Sequence, residues 1–317
     1  MQGVFLDAGS VGDDLDWQAI DNAASGWQTF HNTTAEQIGP RIENADIVVT
    51  NKVVLDGDTI KAAPNLKLIC VAATGVNNID TTAAAACNIP VINVTGYASP
   101  AVSQHVLALM LAFATRWADY HRDVMAGAWQ RSEFFCRLDH PIEELAGKTL
   151  VIVGYGELGE AVAKRAAAFD MHIVIAERPD AATVRPGRLD FDSALAQADY
   201  LSLHCPLTDA THHLINEAAL ARMKDTAFII NTARGQIIDS PALITALRNG
   251  QIAGAAIDVL DNEPPRDGHP LIEADLPNLI ITPHTAWGSR AARQRMLDGV
   301  AANIQAFAAG DDSGRVN

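Results

Sequence analysis

The stretch that decides the fold is Lys148–Arg178, KTLVIVGYGELGEAVAKRAAAFDMHIVIAER. Thr149–Val153 is an apolar, β-branched run of strand length. Gly154, Gly156 and Gly159 follow in G-x-G-x-x-G spacing, and Glu160–Phe169 has the Ala-rich composition of a helix. A second apolar run, His172–Ala176, ends on the acidic Glu177. Strand, glycine turn, helix, strand and acid make up a dinucleotide-binding unit. Gly154 permits the tight turn, Gly156 lets backbone N–H groups approach a pyrophosphate at the helix start, and Gly159 lets the helix pack on the strand. Glu177 is placed to accept hydrogen bonds from the adenosine ribose, and its charge would repel a 2′-phosphate. Arg178 beside it leaves NADP use open, because an arginine there can accommodate that phosphate.

Outward from this unit the same alternation continues. Before it, Val4–Leu6, Thr29–His31, Ile47–Thr50, Leu66–Ala72 and Val91–Val94 read as strands, and Leu15–Ala24, Ala35–Glu43, Thr59–Ala63 and Thr81–Cys87 as helices. Repeated βα alternation implies a parallel sheet covered on both faces. Ser99 and Pro100 start a helix that is expected to run on through AVSQHVLALMLAFATRWADYHRDVMAG, followed by an irregular arm. After Glu177, strands are expected at Tyr200–His204, Ala227–Asn231, Ala253–Val259 and Leu279–Thr282, six with the first two, and a last helix starts at Ser289.

The chain has 317 residues, 49% hydrophobic and 19% charged, with a formal charge of −15. That length accommodates two domains. The negative charge disfavours nucleic acid or an anionic membrane as partner. Cys70, Cys87, Cys136 and Cys205 lie far apart, without C-x-x-C or metal-like spacing, so no metal is expected. The N-terminal MQGVFLDAGS lacks a basic region and an apolar signal core, and His105–Ala114 is too short to span a bilayer. The expectation is a cytoplasmic protein with reduced thiols.

Ligands of an open parallel sheet bind at the carboxyl ends of its strands. Just past the fourth, fifth and sixth strands stand Arg234, Glu263 and His284. Arg234 can grip the carboxylate and carbonyl oxygen of a 2-oxo acid with its planar fork. His284 can donate a proton to the oxygen as it becomes a hydroxyl. Glu263 would orient the imidazole and favour its charged form. Asp258, near the end of the fifth strand, is a candidate for the nicotinamide carboxamide.

With these residues in view, the chain resembles the D-isomer-specific 2-hydroxyacid dehydrogenase family over nearly its whole length. The likeness rests on ATGVNNID (73–80), GKTLVIVGYGELG (147–159), HCPLTDATHHLI (204–215), INTARGQIID (230–239), AAIDVLDNEPP (255–265) and TPHTAWGSRAARQR (282–295). The TARG, EPP and PHTAW segments resemble the glycerate dehydrogenase/hydroxypyruvate reductase branch.

The resemblance implies an α/β molecule of two doubly wound parallel-sheet domains. A flavodoxin-like substrate domain (1–97 plus 289–317) accompanies a Rossmann cofactor domain (98–288), which carries a dimerisation helix and arm (98–147), with the active site in the cleft between them. It implies Arg234, Glu263 and His284 as catalytic residues and NAD as cofactor. Glu157, Leu158, Cys205, Pro206, Thr232, Ala233 and Asp258 join the glycines, Glu177 and Arg178 in the cofactor site. Thr74 and the Gly75–Val76 backbone would hold the substrate carboxylate, with Trp287 a candidate pocket wall or packing residue.

It further implies a homodimer that reduces a short 2-oxo acid, hydroxypyruvate or glyoxylate, to the D-2-hydroxy acid. Gln104 stands where many relatives carry Glu. Formate-oxidising relatives usually have Gln where Glu263 stands, which disfavours that chemistry. Co-repressors resembling C-terminal-binding proteins share the architecture and the trio. The chain has no long disordered tail for recruiting partners, and PHTAW favours the reductase reading. An NADPH-preferring reductase of the same fold is a further alternative.

Overall fold

In the computed structural model, which describes residues 1–311 and 313–317, the chain forms two compact units. Met1–Ala98 with Trp287–Asn317 make the first, and Ser99–Ala286 make the second.

The first unit is built on strands β1 (Gln2–Phe5), β2 (Gly26–Thr29), β3 (Ile47–Thr50), β4 (Leu68–Val71) and β5 (Val91–Asn93). All pair in parallel, in the order β2-β1-β3-β4-β5, the doubly wound order of flavodoxin-like sheets. Every residue of β3 (IVVT) and β4 (LICV) is buried, as continuous apolar runs must be when helices cover both faces. The crossover helices start on side-chain caps. Asp56 accepts from Thr59 N–H at 2.8 Å and Asp80 from Ala83 N–H at 2.8 Å.

The helix Arg290–Ala308, capped by Ser289, belongs to this unit. It lies so close to the end of β5 that a Cβ added at Gly299 would come within 2.6 Å of Val94. The exposed edge of β5 is covered by the chain end, where Ile92 bridges Arg315 and Val316 N–H donates to Val91; such cover blocks edge-to-edge pairing.

Two local expectations are corrected here. The second strand lies at Gly26–Thr29 rather than Thr29–His31. Trp27 pairs with Gly3 and lays its ring where a Gly3 side chain would be, which sets the register from the tryptophan. The helix expected over Leu15–Ala24 shrinks to Gln18–Asp21, because the Asp16 carboxylate takes the Gln18 N–H at 2.9 Å and so begins the turn late.

In the second unit, β6 (Thr149–Val153), β7 (His172–Ala176), β8 (Tyr200–Leu203), β9 (Phe228–Asn231), β10 (Gly254–Ile257) and β11 (Leu279–Ile281) form a parallel sheet. Its order is β11-β10-β9-β8-β6-β7. The strand count matches the sequence reading, but the order departs from the 3-2-1-4-5-6 Rossmann sheet. Beyond β7 the place of a third strand is held only by a parallel bridge between Ala176 and Leu189. The segment feeding it, RPDAATVRPGR, carries two prolines and a glycine and cannot sustain a ladder.

The helix Ser99–Thr115 covers this sheet, with Phe113 stacked on Phe228 at 4.6 Å between centroids and Phe228 on Tyr200 at 5.3 Å. The single long helix expected through Gly127 is broken. Arg116 takes a left-handed conformation (φ 53°) and a second helix, Trp117–Met125, follows it. Two contacts hold the break: Arg116 Nε donates to Asp119 at 2.6 Å, and Glu143 N–H takes the Ala114 carbonyl at 2.8 Å. Among the described residues no helix is long and apolar enough to cross a membrane.

Candidate active site

Because all six strands of the second sheet run the same way, their carboxyl ends lie along one edge. The glycine turn leaves β6 there. Gly154 sits at φ 91°, and a Cβ on it would be 2.5 Å from the backbone nitrogen of Cys205, so the turn is pressed against the chain leaving β8. At Gly159 a Cβ would meet the Gly154 carbonyl oxygen at 2.3 Å, which fixes how closely the helix Glu157–Ala167 approaches the turn. Gly156 has nothing within 4 Å of an added Cβ and provides no side-chain cap. The first N–H groups of the helix therefore suit a pyrophosphate. Leu158 sits half-buried in the first turn, whereas Glu157 accepts from Ser99 Oγ at 2.6 Å.

After β8, burial pushes His204 down to about 4 and Cys205 up to about 11, so both stand neutral; Pro206 next to them is exposed. After β9, the hydroxyl of Thr232 is buried without a hydrogen-bond partner, next to Ala233, whose N–H goes to Asn231 Oδ1 at 3.0 Å. Buried polar atoms are normally paired, so this hydroxyl fits a polar group brought by a cofactor.

Glu177, at the end of β7, is 2% exposed. Its carboxylate accepts from Arg185 Nε at 2.6 Å, Arg185 Nη2 at 2.5 Å, Arg178 N–H at 2.9 Å and Arg185 N–H at 3.2 Å. The Arg185 guanidinium above all holds its pKa well below the usual carboxylate range. The four bonds use about all the lone-pair sites a carboxylate has, so in this structure Glu177 is turned to the protein. The exposed side chain at this strand end is Arg178.

The residues past β9, β10 and β11 make the second half of the site. His284 is another left-handed residue (φ 53°), held by bonds from its N–H to the Asp258 carbonyl at 2.8 Å and the Thr282 carbonyl at 3.0 Å. Such backbone persists where the surroundings over-determine it. The ring nitrogen Nδ1 lies 2.6 Å from Glu263 Oε2, and Glu263 Oε1 accepts from Leu260 N–H at 2.7 Å. An ionised carboxylate only accepts, so Nδ1 carries hydrogen and Nε2 is left for exchange with a ligand. A recess of about 270 Å³ with largely apolar walls, among them Pro264, Pro265 and Ile281, adjoins the pair. Low polarity around the pair strengthens its hydrogen bond. Past the neighbouring β9, half-buried Arg234 donates from Nη1 to the Ala233 carbonyl at 2.6 Å.

Asp258 is almost wholly buried and accepts from Thr282 Oγ1 at 2.5 Å and from the N–H groups of Thr285 and Ala286, each at 2.9 Å. It pins the segment that carries His284, and about one acceptor site remains for a ligand. His105, on the helix Ser99–Thr115, joins this network through Thr282 Oγ1 at 3.2 Å. Sequence reasoning missed His105 and Arg185, which have no motif around them; only the folded chain brings each to its carboxylate. Of the remaining expected residues, Thr74 donates to the Val94 carbonyl at 2.9 Å just past β4, with Gly75 and Val76 following. Trp287 belongs to the first unit and packs edge-on against Tyr97, 6.4 Å between centroids.

Gly235 ties two of these loops together. A Cβ there would lie 2.1 Å from the Leu260 carbonyl carbon and 2.3 Å from Asp261 N. Gly235→Ala must displace the loop bearing Glu263, so we expect a loss of about 1–3 kcal/mol in stability together with reduced turnover. Urea unfolding and a rate assay check this; an unchanged midpoint and rate would show that the loop is free to move aside.

The model of the D-isomer-specific 2-hydroxyacid dehydrogenase NAD-binding domain matches residues 107–286. The chain belongs to the D-isomer-specific 2-hydroxyacid dehydrogenase family. This dehydrogenase is 44% identical to a glycerate dehydrogenase of Methylorubrum extorquens, covering 87% of each chain. It is 34% identical to a hydroxypyruvate reductase of Blautia hydrogenotrophica over 96% of this chain and 95% of the relative. The fold is similar to that of a D-lactate dehydrogenase of Aquifex aeolicus solved with NAD and lactic acid. There the TM-score is 0.84 at 25% identity, over 98% of this chain and 97% of the other. The 2-hydroxyacid dehydrogenase is thus an oxidoreductase with an NAD-binding unit, which transfers hydride between a nicotinamide cofactor and a 2-oxo/2-hydroxy acid pair.

Proposed function

We propose that the enzyme reversibly reduces hydroxypyruvate or glyoxylate to D-glycerate or glycolate, with Arg234, Glu263 and His284 as its working residues. The observation that carries this reading is the 2.6 Å contact between His284 Nδ1 and Glu263 Oε2 at the carboxyl edge of the sheet, in the segments past β11 and β10, with Arg234 past β9, the strand that adjoins β10. The names of the relatives, glycerate dehydrogenase and hydroxypyruvate reductase, support the substrate class.

The bound dinucleotide supplies the hydride. His284 gives the Nε2 proton to the keto oxygen as the hydroxyl forms and takes it back in the reverse direction. Glu263 accepts the Nδ1 hydrogen throughout, which fixes the ring and balances the imidazolium. Arg234 grips the carboxylate and the reacting oxygen. The glycine turn, the start of the helix Glu157–Ala167 and Thr232 would hold the dinucleotide. Thr74 and the Gly75–Val76 backbone are assigned to the substrate carboxylate. Turnover of a panel of 2-oxo acids with NADH and with NADPH tests the reading; activity confined to bulky or uncharged ketones would overturn it.

We further infer a homodimer formed through residues 117–142. Phe134, Phe135 and Leu138 there are 74%, 90% and 79% exposed, and Trp117 and Met125 are exposed with them. Large apolar side chains exposed together in one segment suit an association surface. Phe135→Asp with Leu138→Asp should convert a dimer to a monomer in sedimentation equilibrium. A monomeric wild type would refute the inference. Four free cysteines, with the Cys70 thiol pushed up to about 12 by burial, suit a reducing, cytoplasmic setting.

A further inference from the structure

The end of β7 is where an adenosine ribose lies in a dinucleotide-binding sheet. An acid there selects NADH when it is presented to the ribose hydroxyls. Here the acid is presented elsewhere. Glu177 is buried and saturated, with both oxygens bound by the side chain of Arg185, whose backbone also donates, and by the Arg178 N–H. Arg188 Nη1 stands 3.8 Å from the same carboxylate.

Outside this closed ring the polarity is reversed. Arg178 is exposed and Arg185 is 52% exposed. Arg185 uses Nε and Nη2 toward Glu177, which leaves hydrogens of a five-donor guanidinium turned outward. The loop also holds Asp180 and Asp190; the Asp190 carboxylate caps the next helix by accepting from Ser193 N–H at 2.9 Å. A planar, weakly hydrated guanidinium suits a phosphate dianion.

We propose that Arg185 selects the cofactor: it sequesters Glu177 and offers, with Arg178, a site for the adenosine 2′-phosphate, so that the enzyme takes NADPH at least as readily as NADH. The inference rests on the dinucleotide-binding reading above. It reverses what Glu177 by itself implies, because a carboxylate already paired with a guanidinium no longer repels an incoming phosphate at short range.

Calorimetric titration of the full chain with 2′,5′-ADP and with 5′-AMP tests the proposal without turnover. Wild type should bind 2′,5′-ADP at least about tenfold more tightly, the worth of one charge-assisted hydrogen bond. Arg185→Ala should abolish that advantage, since it removes the donor and exposes the acid. Glu177→Gln keeps Arg185 and relieves nothing that faces the ligand, so the ratio should stay within about threefold of wild type on the same scale. If Arg185→Ala fails to fold, the Glu177→Gln ratio still decides, because an acid acting as the selector predicts a rise well above that limit. Tighter binding of 5′-AMP than of 2′,5′-ADP by wild type overturns the proposal and leaves the dinucleotide site standing. Binding of neither nucleotide overturns both.

Discussion

His284→Ala should lower kcat by about 10²–10⁴-fold for both reduction and oxidation, the usual size of general acid–base catalysis. The substitution removes the one group whose Nε2 is positioned for proton exchange by a carboxylate on Nδ1, at 2.6 Å from Glu263. The pH profile separates catalysis from packing. Reduction consumes the imidazolium and falls as pH rises, whereas oxidation needs the neutral ring and falls as pH drops. Both limbs should flatten in the residual activity of the alanine variant. Glu263→Gln keeps the shape and removes the charge facing the imidazolium, so reduction at neutral pH should suffer more than oxidation. Stopped-flow rates in both directions across pH check these statements. A His284→Ala enzyme with wild-type limbs would mean that another group moves the proton.

Arg234→Ala should lower kcat/KM by roughly 2–5 kcal/mol, the cost of removing one partner from a buried charged pair. Arg234→Lys should remain impaired, since an ammonium keeps the charge but not the fork that meets a carboxylate and its neighbouring oxygen together. Folding should hardly change. The guanidinium makes its hydrogen bond to the adjacent Ala233 carbonyl, and the turn is held by the backbone: Asn231 Nδ2 donates to the Arg234 carbonyl at 2.8 Å. Dissociation constants for NADH should also stay near wild type. A fully active lysine variant would show that charge, not bidentate geometry, is what the substrate requires.

Much of this is legible in the sequence because it depends on local rules. A glycine at Gly154 is demanded by a turn at φ 91° lying against Cys205, and a glycine at Gly159 by the closeness of helix to turn. Both requirements leave a mark in the residues themselves. Apolar runs such as IVVT and LICV reveal strands covered on both faces, and those runs place Arg234, Glu263 and His284 after consecutive strands. Other features left no such mark. The break at Arg116 falls on a residue with no turn preference, and it is set by Asp119 and by a segment 27 residues further on that takes the Ala114 carbonyl. The third strand of the second sheet dwindles to the Ala176–Leu189 bridge because the segment that feeds it carries two prolines and a glycine.

The amino-acid sequence by itself determined the family, the parallel α/β architecture, the dinucleotide turn and the placement of Arg234, Glu263 and His284 just past consecutive strands. Each follows from steric or chemical demands that act over a few residues or repeat with a fixed period. Tertiary structure alone decided what the carboxylates do. Asp258 and Glu177 look equally free in the sequence. In the fold one is committed to the N–H groups that carry His284 into place, and the other is enclosed by Arg185. A carboxylate's partners are whichever donors the chain delivers within 3 Å, and that delivery depends on loop closure across the sheet edge, which has no period to read.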